Sequence, residues 1–117
     1  MARSFKLPPF QIYALLAAAL APNLLADVAS AASPPAAAVQ IGNFTFKDQI
    51  LTVKQGTTVT WTNADDIPHT VTSSTGLFKS KVLDTGDHFS FTFAKPGQYG
   101  YFCSLHPHMT GTILVKA

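Results

Sequence analysis

Residues 103–109 read Cys-Ser-Leu-His-Pro-His-Met, and no other stretch constrains the chain as tightly. A thiol, an imidazole and a thioether recur at every third position, as Cys103, His106 and Met109. Runs of period two flank the stretch, residues 98–102 before it and 110–115 after it. Such alternation marks half-buried strands. A tight loop between two paired strands can turn all three side chains toward one point.

Soft sulfur donors with imidazole suit copper rather than magnesium or calcium. The three residues lack one His of a trigonal His2Cys set with a weak axial Met. Residues 66–71, Asp-Ile-Pro-His-Thr-Val, offer that imidazole as His69. His88 follows Asp87 at a turn and is read as a surface residue, and His108 as an exposed rim residue. His106 and His108 also form a His-x-His pair of the kind multicopper oxidases use. Those enzymes need several such pairs and His residues flanking the Cys, and this chain has neither.

Pro68-His69, Trp61 on the preceding strand, and the loop of Cys103, His106 and Met109 carry a resemblance. The chain resembles type I blue copper proteins of the cupredoxin family, nearest the amicyanin and plastocyanin branch, over residues 39–115. The short spacing of the loop is similar to that of amicyanin. Plastocyanins and pseudoazurins carry two more residues between His and Met, and azurins separate Cys and His more widely. The residue after the first His is often Asn in the family, and here it is Thr70.

The resemblance implies one copper ion per chain, cycling between Cu(I) and Cu(II). His69, Cys103 and His106 would hold it, with Met109 as the weak axial ligand. It also implies that His106 presents its far ring edge to solvent as the electron port. The function expected is transfer of single electrons between redox proteins that dock transiently near His106. The rival is a copper carrier or scavenger that exchanges the metal instead of cycling its charge. Catalysis is not expected. The chain has no Glu, no carboxylate is expected next to the cluster, and Met109 would fill the open position that metal catalysis needs.

The chain's 117 residues and formal charge of +2 bound it to one ordinary domain. Residues 1–31 read as a secretory signal peptide. Arg3 and Lys6 form a basic start, residues 12–21 are apolar, and Ala29-Ser30-Ala31 fits the small-residue cleavage rule. The apolar run is far short of the roughly 20 residues that span a bilayer. A periplasmic or secreted protein without stable membrane insertion after processing is therefore expected. Beyond residue 31, six Lys face five Asp, which is far from the basic balance of a nucleic-acid binder. The single Cys cannot form an internal bridge, and in an oxidising compartment metal ligation would protect it. A monomer is expected.

Residues 32–38 are expected to form a flexible, extended linker, and residues 39–117 the copper-binding domain. Residues 57–62 alternate cleanly, with Val59 and Trp61 on one face and three Thr on the other. Phe89, Phe91 and Phe93 share a face and are expected in the core. Residues 74–81 read as irregular. Pro96-Gly97 predicts the centre of a type II turn. Short strands at spacings of about ten residues, with turn signals between them, predict an all-β Greek-key sandwich.

Overall fold

Strand formation starts almost where the description of the chain does. The computed structural model describes residues 33–117, so the expected signal peptide of residues 1–31 lies outside the described residues. Eight strands follow: β1 (Ala36–Gly42), β2 (Thr45–Phe46), β3 (Ile50–Lys54), β4 (Thr57–Asn63), β5 (Thr72–Ser73), β6 (His88–Phe93), β7 (Gly97–Cys103) and β8 (His106–Lys116). They form two four-stranded sheets, ordered β2-β1-β4-β6 and β3-β8-β7-β5. The all-β sandwich expected from the strand spacing is present, and the described residues include no helix.

Period two builds each layer. In β4, Thr57, Val59, Trp61 and Asn63 are buried, and Thr58, Thr60 and Thr62 face outward. The outward hydroxyls pair with the neighbouring strand, Thr58 with Thr92 at 2.7 Å and Thr60 with Ser90 at 2.6 Å. Cross-strand pairs of this kind fix register. β4 runs antiparallel to β6 and parallel to β1. In the other sheet, β8 runs parallel to β3 and antiparallel to β7.

Three boundaries differ from the sequence expectation. β1 begins at Ala36, inside the segment expected to be linker, because Ala36–Ala38 pair with Thr58–Thr60. The Thr58 N–H also donates to the Pro35 carbonyl at 3.1 Å. The two prolines stand just before the strand, where a missing N–H removes nothing from the ladder. Residues 74–81 are not wholly irregular. Thr72 bridges Lys79, and the Ser80 N–H donates to the Val71 carbonyl at 2.8 Å. Gly97 does not sit third in a type II turn. It opens β7 at φ 154°, far from the about 80° that position requires.

The core lies between the sheets and is mainly aromatic. Trp61 is fully buried, with ring centroids at 5.3 Å from Tyr101, 5.8 Å from Phe78, 5.9 Å from Phe89 and 6.4 Å from Phe93. Of the predicted stripe, Phe93 is buried, and Phe89 and Phe91 pack half-buried against the core cluster. Among the described residues, the Trp61 N–H and the Tyr101 hydroxyl are buried without a partner in bonding geometry. Burial pushes the Tyr101 phenol up to about 12, and the nearby indole offsets that only in part. The two groups are close but not aligned into a bond. The Tyr101 ring lies directly across Gly111, its antiparallel partner, where a Cβ would collide with Cζ and the hydroxyl.

The glycine requirement at residue 111 is steric and testable. Gly111→Ala should destabilise the protein by about 1–3 kcal/mol, the usual cost of overpacking a filled core. Chemical denaturation should show the midpoint falling with the slope unchanged.

Candidate metal centre

Asn63 ends β4 and organises the segment that carries His69. It is fully buried. Its side-chain NH2 donates to the carbonyls of Ile67 and Leu83, both at 2.9 Å. Its Oδ1 accepts the Asp65 N–H at 2.8 Å. These bonds close residues 63–67 into a fixed bend and deliver His69 to the sandwich. There His69 and Leu83 exchange backbone bonds of 3.1 and 2.8 Å.

The cysteine segment is tighter than a seven-residue loop. β7 runs through Cys103, Ser104 and Leu105 make the turn, and β8 starts at His106. Cys103 and His106 are register partners, with an irregularity between Phe102 and Cys103. Two of the predicted donors thus face each other across a hairpin end, and Met109 follows on the same strand.

The structure brings the sequence-predicted residues together. Cys103 Sγ lies 3.8 Å from His69 Nδ1 and 3.7 Å from His106 Nδ1. All three donor atoms lie within 4.8 Å of one another. Bonds of about 2.0 Å to nitrogen and 2.3 Å to sulfur, meeting at about 120°, separate the donors by roughly 3.7 Å. The cluster therefore has the dimensions of a trigonal site for one ion. Cys103 and His69 are fully buried, Met109 is 6% exposed and lies nearby, and His106 is half-buried. His88 and His108 are exposed, as expected of surface residues.

Thr70 ties the two segments together. Its N–H donates to Cys103 Sγ at 3.3 Å. Its hydroxyl oxygen accepts the Ser104 N–H at 2.7 Å and pairs with the Ser104 hydroxyl at 2.8 Å. A side chain shorter than Asn thus serves at this position.

Two neighbours escaped the sequence reading. The first corrects the expectation that no carboxylate adjoins the cluster. Asp65 Oδ2 stands 2.9 Å from His69 Nε2. The bond to the Phe44 N–H, then that to His69, brings the Asp65 carboxyl down to about 2. The carboxylate accepts the Nε2–H, which leaves the Nδ1 lone pair facing the sulfur. An Asp four residues before a His was the available signal. The second is Phe44, whose ring meets His106 at 5.1 Å and His69 at 5.9 Å, edge-on in both cases. No local pattern marked it.

Burial pushes the Cys103 thiol up. The bond from the Thr70 N–H, the contacts with His69 and His106, and the bond from the Leu105 N–H outweigh burial, and the net result is a fall from 9.0 to about 6. A thiolate is the metal-binding form of cysteine.

Residues 13–115 match the family model of the cupredoxin-like domain. The amicyanin of Paracoccus denitrificans is 35% identical over 117 aligned positions, covering 87% of this chain and 89% of that protein. The plastocyanin of Scenedesmus fuscus is 33% identical over 88, covering 64% and 90%. Among solved structures, a purple cupredoxin from Nitrosopumilus maritimus superposes with a TM-score of 0.65 at 37% identity, covering 68% of this chain and 99% of that one.

Two measurements follow from this geometry. The metal-free protein should show thiolate absorbance rising with a midpoint near 6, against about 9 when unfolded. A folded-state value below the unfolded one adds stability at high pH, and that stability is lost as pH falls through the folded value. The metal-free fold should therefore strengthen between pH 6 and 9. Thr70→Ala should cost about 1–3 kcal/mol in chemical denaturation, since it strips the bonds to Ser104 at a buried position.

Proposed function

The chain belongs to the cupredoxin family, and from that premise we propose that it carries single electrons between redox proteins through one copper ion per chain. The ion is held by His69, Cys103 and His106, with Met109 as a weak fourth ligand. The observation that carries this reading is the pair of Nδ1 atoms at 3.8 and 3.7 Å from one buried thiol. That donor set fits copper by softness and by its trigonal dimensions. Bound copper would supply a one-electron couple between Cu(I) and Cu(II).

The protein's own groups do the rest. Asp65 fixes the tautomer of the His69 ring. The Thr70 N–H holds the Cys103 sulfur in place and stabilises its charge. The hairpin pairing of Cys103 with His106 sets their separation before any ion arrives. Burial of Cys103, His69 and Met109 excludes water. A site held this rigidly needs little rearrangement when its charge changes by one, and that favours fast transfer.

Partners dock beside His106, the one half-buried imidazole. Leu105 at 48% exposed, Phe44 at 53% and the exposed Pro68 and Pro107 give apolar surface on the segments around the site. Small, exposed patches suit brief association. We place the mature protein in the periplasm or outside the cell, as a monomer. The basic, apolar and small-residue order of residues 1–31 supports export. No catalytic role is proposed, since Met109 takes the coordination position that a substrate would need.

Copper-loaded protein should show an intense visible band near about 600 nm, from thiolate-to-Cu(II) charge transfer. It should also give a reversible one-electron wave. Cys103→Ser should abolish the band while leaving the sandwich folded. Handover of copper to a chelator within seconds, with no reversible wave, would instead identify a copper carrier or scavenger.

A further inference from the structure

Asn43 and Phe44 join β1 to β2 in a two-residue hairpin, with Gly42 opposite Thr45. Both residues adopt left-handed backbone angles, φ 52° and 57°. Turns of this kind favour Asn followed by Gly. Asn tolerates the conformation through its short polar side chain, but a bulky residue is strained there. Phe44 therefore occupies the position where Gly would fit best. Burial does not compensate, because the side chain is about half exposed.

What the ring does make is contact with the imidazoles. It stands edge-on to His106 at an interplanar angle of 90° and to His69 at 89°. Its backbone N–H donates to Asp65 Oδ2 at 3.0 Å, and the same oxygen accepts from His69 Nε2 at 2.9 Å. Phe44 also lines an open pocket together with Met109. The strained residue thus borders two of the four candidate donors, shares a pocket with a third and is tethered by the carboxylate that orients one of them.

We propose that Phe44 is a positioning residue, whose ring fixes the planes of both imidazoles before metal binds. Its relevance to function rests on the copper reading above, but its action on the rings does not. The strain at residue 44 is tolerated because no side chain other than an aromatic ring offers an edge to both imidazoles at once.

Three variants test this, each examined metal-free and copper-loaded. Phe44→Gly matches the turn and removes the ring, Phe44→Tyr keeps the ring, and Phe44→Leu keeps apolar bulk without an aromatic edge. In metal-free Phe44→Gly, NMR should show the His106 ring signals averaged over several orientations, while thermal stability is unchanged or higher. Copper release to a chelator should be about tenfold faster, the scale of one edge-on aromatic pair. Phe44→Tyr should stay within about twofold of the parent on the same scale, and Phe44→Leu should resemble Phe44→Gly. Ordered His106 signals and unchanged release in Phe44→Gly would overturn the proposal. If Phe44→Gly fails to fold, parent-like behaviour of Phe44→Leu would overturn it equally. Absence of the visible band in the copper-loaded parent would sink the copper reading alone, and the metal-free ring signals would still decide the role of Phe44.

Discussion

The site depends on one residue's hold on two distant segments. Thr70 follows the buried His69, and its N–H points at the sulfur of Cys103, 33 positions along the chain. Its hydroxyl grips Ser104 at the same time. Buried hydrogen bonds to a charged group are worth more than neutral ones, and each becomes costly once its partner is lost. Without this clasp no hydrogen bond of Thr70 would join the early imidazole's segment to the late hairpin. With it, the spacing of nitrogen and sulfur is a property of the polypeptide.

The frame behind the clasp is rigid for a different reason. Trp61, Tyr101, Phe46, Phe78 and Phe93 fill the space between the sheets with large rings in contact. Such rings give much buried area for few rotatable bonds. Cys103 lies two residues beyond Tyr101 on the same face of β7, so the sulfur inherits the position of the core. The polar layer around it is equally well placed. The side chains of Asn63, Asp65 and Ser80 each bond a backbone atom in the segment that carries His69, and the Thr70 N–H of that segment bonds the sulfur. A centre assembled this way has its donors held by the polypeptide on every side.

The cluster of candidate donors was legible because its pattern is local. Cys103, His106 and Met109 lie within seven residues, between two alternating runs. His69 followed from a short inventory, since the chain has only four His. The sandwich was legible from alternation and turn spacing. The parallel pairings of β1 with β4 and β3 with β8 were not, because no local signal records which distant strands meet. The start of β1 was missed for the same reason: composition marked Ala36–Ala38 as linker, and a long-range ladder overruled it. Asp65, Asn63 and Phe44 are ordinary residues of turns and bends in the sequence. Their importance appears only when the fold sets them against His69. Pro96-Gly97 misled because glycine permits an extended entry to β7 as readily as a turn.

The position of β8 also orders events in the life of the molecule. It is the last of the described strands, and it lies between β7 and β3, with Thr112 beside Ile50. Until β8 docks, β3 lacks its neighbour, and His106 and Met109 are not in place. Contacts so distant along the chain form late in folding. Copper arriving early would meet one thiol on a mobile peptide; copper arriving after β8 docks meets a finished socket. The candidate site is thus complete only once β8 has docked between β7 and β3.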